Sequence, residues 1–276
     1  MDVLFDVPFD VLGVVSLYIT KHPMKLLDWI PPMMINITGL SGNPNSMHIL
    51  ENYYEFINIQ NLAQYNTNPE AILLFENKLR TPTHILCLSS NPNGIYLLES
   101  YPDSINWWSL SKNPNGLALL NANPDKINWS GLSANPNPDS IHMLEANPDK
   151  IDWTELSYNP SGMALLEANP DKIIWSGLSA NPNGIILLKA NPDKINWDSL
   201  SSNPNGIPLL EANPDKINWR TLSSNPNGIH LLKNNITNKY ICWWSLSKNP
   251  SIFEPDTKQY YVNLQNKIIK IDNIIN

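Results

Sequence analysis

Five histidines, two cysteines, a row of aspartates and a series of tryptophans are the residues from which this chain could build chemistry. His22, His48, His84, His142 and His230 show neither an H-x-x-x-H pair nor any Cys/His metal spacing, so no metal site is expected. Cys87 has no partnered motif and Cys242 replaces an asparagine of a repeat, so both read as buried thiols. Two cysteines also exclude a disulfide framework and fit a reducing compartment. Asp125, Asp149, Asp171, Asp193 and Asp215 look like a carboxylate array, but each opens a helical turn and is followed by Lys. Complementing a helix dipole accounts for them better than acid–base work does. No phosphate-cradling glycine loop is present, and the Asn-Gly pairs belong to a repeat. No catalytic residue, cofactor or metal is therefore expected.

The tryptophans Trp107, Trp129, Trp153, Trp175, Trp197, Trp219 and Trp243 could be mistaken for a base-stacking platform. Such platforms sit in basic grooves. This chain of 276 residues has a net charge of −7 and a pI near 5.2, which argues against nucleic acid as a partner. Hydrophobic residues make up 42%, enough for a core. No run of about 18 uncharged apolar residues occurs, so no membrane span is expected.

Stepping from residues to elements, the chain is a tandem repeat. Asn-Pro pairs opening Asn-Pro-Asn or a close variant fall at Asn91, Asn113, Asn135, Asn159, Asn181, Asn203, Asn225 and Asn249, every 22 or 24 residues. A second series, Asn-Pro-Asp, opens at Asn123, Asn147, Asn169, Asn191 and Asn213. Weaker copies reach upstream: Ile35–Asn45 keeps the pattern with Ile in the Trp place, and 54–90 is degenerate. Repeats therefore fill residues 31–254. Asn as cap, Pro in the first turn and Leu-Leu-Glu-Ala runs favour helices. At 100° per residue from Ile195, the apolar arc runs through Asn196 to Trp197, with the residue after Trp on the open side. The expected fold is an all-α solenoid of short helix pairs, about 22 residues per unit, with terminal cap helices. The competing architecture is a β-solenoid or leucine-rich-type coil, because Asn-Pro-Asn-Gly is good turn chemistry and Ile-x-Trp alternates like a strand. In the helical fold Trp is core, and deleting Trp175 is expected to cost about 3–5 kcal/mol.

The I-N-W-x-x-L-S-x-N-P-N signature resembles the tandem Asn-Pro repeats of proteins encoded by large amoeba-infecting DNA viruses. The resemblance covers about four-fifths of the chain. It implies an intracellular helical repeat protein, in the host cytoplasm, and carries over no catalytic residue.

The ends differ from the repeats. Leu264, Ile268, Ile271 and Ile275 form a helical stripe that reads as a C-terminal cap over 255–276. Residues 1–30 contain Val7, Pro8, Leu12 and Val15 in a pattern that resembles the opening of an F-box, with Val7 and Asp10 as departures. An N-terminal cap helix is the alternative reading of the same residues.

Two functions follow as expectations. One is a non-enzymatic protein-binding scaffold. The other is a substrate-recruiting adaptor of a cullin-type ubiquitin ligase, with a Skp-type adaptor as partner, resting wholly on the F-box-like segment. For the scaffold, positions that change between copies mark the binding surface. After Trp these are Trp108, Ser130, Thr154, Ser176, Asp198, Arg220 and Trp244. After the Ile of the other half they are Tyr96, Ala118, His142, Ala164, Ile186, Pro208 and His230. Trp108, Asp198, Arg220 and Trp244 on one row, with Tyr96, His142 and His230 on the other, are the expected contacts, being types that often dominate interfaces.

Overall fold

The computed structural model describes residues 23–76, 81–263 and 265–266. These fall into two compact units, one built from Pro31–Ile252 and the other from the segments on either side of it. The chain is an all-α repeat solenoid, with helix packed on helix along the array.

One unit shows how the sequence dictates its local structure. Pro192–Lys194 makes a single 3-10 turn, Ile195 and Asn196 are extended, and a helix begins at Trp197. The Asn196 side chain caps it, accepting the backbone N–H of Ser199 at 2.9 Å. Two copies replace this cap by Ile174 and Cys242, and neither side chain makes a capping bond. After the Asn-Pro turn a second helix follows, Ile207–Glu211 in this copy. Asparagine therefore ends the extended segment; it does not sit within a helical arc. Helical phase counts from Trp197, not from Ile195, since Ile195 and Asn196 are extended and only Trp197 opens the helix.

That shift changes the core. The tryptophans occupy the first helical position and are half-buried, whereas the leucine three residues on is fully buried in every copy. Leu40, Leu62, Leu88, Leu110, Leu132, Leu156, Leu178, Leu200, Leu222 and Leu246 form this inner row. Leu120, Leu144, Leu166, Leu188, Leu210 and Leu232 fill the equivalent places in the second helices. No ring of the Trp series stacks on another among the described residues. The expected internal Trp stack is thus corrected to a leucine core that the Trp rings partly cover.

Neighbouring units are joined by polar groups. Each asparagine of the Asn-Pro-Asn turn is buried, and its Nδ2 crosses to the preceding unit. Asn135 donates to the carbonyls of Ser111 (2.8 Å) and Asn113 (2.9 Å), and Asn181 to those of Ser157 (3.1 Å) and Asn159 (2.8 Å). Its Oδ1 accepts the N–H two residues on, as from Asn183 at 2.9 Å. The serine after the core leucine accepts a backbone N–H from the next unit, as Ser179 does from Asn196 at 2.9 Å. Glycine permits the close approach: a Cβ on Gly131 would lie 2.5 Å from the Trp108 carbonyl oxygen.

The same contacts join the first unit to the last. Asn43 Nδ2 donates to the carbonyls of Ser247 (3.0 Å) and Asn249 (2.8 Å). The Asn36 N–H reaches Ser247 Oγ at 2.9 Å, and Asn45 Nδ2 reaches the Pro250 carbonyl at 2.9 Å. A Cβ on Gly39 would lie 2.7 Å from Ser247 Cβ and 2.8 Å from the Trp244 oxygen, the counterpart of the Gly131 contact. The asparagines 43, 66, 91, 113, 135, 159, 181, 203, 225 and 249 therefore form one closed circuit of ten units. An open solenoid needs separate caps for its end repeats. Here each end of Pro31–Ile252 satisfies the other.

In the other unit, Met24–Leu26 pairs antiparallel with Phe253–Pro255, Lys25 opposite Glu254 and 3.0 Å from its carboxylate. Of residues 1–30, expected as a cap or an F-box-like segment, only 23–30 are described, and they hold this strand and a turn. Residues 257–263 are helical, while Leu264, Ile268, Ile271 and Ile275, the whole expected C-terminal stripe, lie outside the described residues.

Two outcomes test this architecture. Leu178→Ala should destabilise by about 3–5 kcal/mol and Trp175→Ala by about half that in denaturant unfolding, because only the leucine is fully buried. Gly39→Leu should separate the first and last units, read as a lower energy-transfer efficiency between dyes placed in them; an unchanged efficiency would refute closure.

Candidate functional site

The residue after each Trp sits one step past the helix start, on the side away from the leucine core. Trp108 is 44% exposed and Trp244 45%, and Thr154, Asp198 and Arg220 are exposed as well. Ser130 and Ser176 are half-buried. In the second helices Tyr96 is 52% exposed and Ile186 81%, with Ala118, His142, Ala164, Pro208 and His230 exposed too.

The first row is connected by hydrogen bonds between units. Ser130 Oγ donates to Asp152 at 2.8 Å, and Asn218 Nδ2 donates to Asp198 at 2.8 Å. Asp198, Arg220 and Trp244 come from successive units, and the first two border an open groove shared with Lys216 and Tyr240. Trp108 lies in the fourth unit, away from those three. Its ring has the Lys112 ammonium 5.4 Å from its centroid, an i,i+4 pair that Trp244 and Lys248 repeat at 4.5 Å. In the second row His142 Nδ1 is 3.3 Å from Glu145, and His230 Nε2 is 2.8 Å from Glu211. Val7, Pro8, Leu12 and Val15 lie outside the described residues.

Two contacts skip a unit, which shows where the array is concave. Lys248 of the tenth unit lies 3.4 Å from the Tyr65 ring centroid of the second, across Gly39 and Gly42 of the first. Lys112 of the fourth reaches Glu155 of the sixth at 3.8 Å, across the fifth. Units two apart converge only on the inner side of a curve, so these side chains line the inside of the circuit. Closure also brings in Tyr65, an exposed residue from the degenerate 54–90 stretch, where reading by repeat position loses its register. The signal for Lys248 was present, since Trp-Trp-Ser-Leu-Ser-Lys occurs at both 107–112 and 243–248.

The thiols are half-exposed, not buried as expected. Burial holds the Cys87 thiol above its usual range. Burial also pushes the Cys242 thiol up, but hydrogen bonding from Ser245, whose Oγ is 3.2 Å from Sγ, and the nearby Arg220 charge outweigh it and lower the pKa. A thiol reagent should therefore modify Cys242 from a lower pH than Cys87, and Ser245→Ala should narrow that difference. Mass spectrometry of alkylated peptides across pH reads both.

A family model described as periplasmic copper-binding protein (NosD) matches residues 75–251, a span lying almost wholly inside the repeat array. That family is a β-helix one, whereas the matched residues that the structure describes are helical. Neither the curated proteins nor the solved structures yield a significant match. Copper draws on thiolate, thioether and imidazole ligands. Among the described residues no three of His, Cys, Asp or Glu converge, and Cys87 and Cys242 belong to the third and tenth units. The sulfurs of Met47 and Met163 face buried amides, Asn66 and Asn181, at 3.6 Å. This donor set does not fit a copper ion.

Proposed function

The chain belongs to the NosD family by its match over residues 75–251, and we propose that its own role is that of a non-enzymatic scaffold that binds another protein. One observation carries this reading. The constant leucine, serine and asparagine positions are buried or hydrogen-bonded between units, the constant Asp-Lys pairs are matched within their own turns, and the positions that vary fall in two rows that are exposed except at Ser130 and Ser176. Packing therefore accounts for what is constant and leaves the variable side chains available for recognition. Trp108, Asp198, Arg220 and Trp244 form one candidate contact row, and Tyr96, His142 and His230 the other. Aromatic and arginine side chains supply large contact areas at interfaces. The clusters that could do chemistry are otherwise engaged. The Asp-Lys pairs, such as Asp171–Lys172 at 3.5 Å, neutralise each other at the 3-10 turns. The free thiols fit a reducing compartment, inside the cell.

Changing each row separately to Ser tests this. Both variants should retain the helical circular dichroism of the parent, because the altered positions are exposed. Recovery of the partner in affinity purification from expressing cells should fall at least tenfold for one row. Unaltered recovery with both rows changed would overturn the reading, and collapse of the helical signal would show the rows to be structural.

A further inference from the structure

Closure of the array assembles a surface that no contiguous stretch of sequence contains. On the concave side, Lys248 of the tenth unit lies between Trp244 and the Tyr65 ring of the second, with Arg220 of the ninth unit one step back on the post-Trp row, close enough to the Cys242 thiol for its charge to act there. Lys248 is half-buried, and its burial lowers its pKa because desolvation disfavours the ammonium. Neither Lys248 nor Arg220 has a carboxylate within salt-bridge distance among the described residues. The one carboxylate of the post-Trp row, Asp198, is engaged by Asn218. The lysine at the end of the fourth unit's Trp-led helix, Lys112, is already satisfied by Glu155. Lys248 and Arg220 thus carry positive charge outside any ion pair among the described residues, in a chain of net charge −7.

Size limits the occupant. Ten packed helices about 8 Å apart put their axes on a circle of about 13 Å radius. Subtracting about 5–6 Å for each helix and its side chains leaves an opening of about 15 Å. An extended polypeptide passes through such an opening, whereas a folded domain, whose radius of gyration alone is about 13 Å for 100 residues, does not.

We propose that the concave patch of Arg220, Trp244, Lys248 and Tyr65 binds an extended acidic polypeptide segment, its carboxylates on the two cations and its apolar side chains on the rings. The second-helix position held by Glu99, Glu145, Glu167 and Glu211, and by Lys189 and Lys233 in two copies, is net acidic and disfavours the same segment there. This rests on the scaffold reading and specifies the class of partner.

Fluorescence anisotropy of the full chain with labelled peptides tests it. The probes are an alternating Glu-Phe peptide of about twelve residues, its Lys-Phe counterpart and an oligodeoxythymidine of similar length. The Glu-Phe peptide should bind at least tenfold tighter than the other two, and the affinity should fall as salt rises. Arg220→Ser, at an exposed position, and the Arg220→Ser/Lys248→Met double variant should weaken binding by about threefold and at least tenfold. Gly39→Leu, which opens the seam by clashing with Ser247 and the Trp244 backbone carbonyl and leaves every patch side chain in the sequence, should abolish it. Equal binding of the Lys-Phe peptide, tighter binding of the oligonucleotide, or affinity indifferent to these substitutions would overturn the proposal. Should the acidic peptide fail while the row of Tyr96, His142 and His230 still recovers a protein partner, this inference falls and the scaffold reading stands.

Discussion

Everything in the array depends on a buried carboxamide that faces two ways. The asparagine side chain carries two donors and an acceptor, and each copy uses them to close its own turn and to satisfy carbonyls of the unit before it. A buried carbonyl without a partner costs about 1–3 kcal/mol, so the register between units is set by a penalty that any slip would incur. Among the described residues no buried side-chain nitrogen or oxygen lacks a partner. The leucines behind this ladder supply the apolar burial that helices of four to eight residues need, since such short helices do not persist alone.

Closure follows from the same interaction. A linear array leaves one set of donors and one set of carbonyls unsatisfied at its ends. The first copy keeps Asn36, Gly39 and Asn43, the residues by which a unit grips its predecessor, and the last keeps Ser247 and Asn249, which receive them. Sequence drift in the early copies has fallen elsewhere: Ile37 and Ile59 stand in the Trp place, and Ala63 replaces the bridging serine. The half-buried Trp position tolerates this, whereas the fully buried asparagine does not.

The division between constant interior and variable exterior is why function here must be argued from the surface. Membership of the NosD family names a relationship through the repeat array, but ligands are held by particular side chains, and the donors that copper needs are separated or turned inward here. The helices also resolve the two architectures that the repeat allowed. Asn-Pro-Asn-Gly serves as a turn in both, and the Ile-Asn step is indeed extended, as a strand would be. It lasts only two residues, because the asparagine immediately caps a helix.

The sequence by itself determined the period, the helical class and the exposed places that vary, because each of these is a local preference or a comparison between copies. Propensity, capping and phase are properties of a dozen residues and can be read there. It did not reveal where each helix starts, for Ile195 and Asn196 match the helical phase but are held extended by the cap. Only the tertiary structure decided that Asn43 would meet Asn249, that Tyr65 would lie against Lys248, and that the ends would need no separate caps. Those contacts join residues about 180–210 positions apart, and they arise from curvature summed over ten units. A single repeat carries its own turn angle, but whether ten such angles return the chain to its beginning is a property of the whole array.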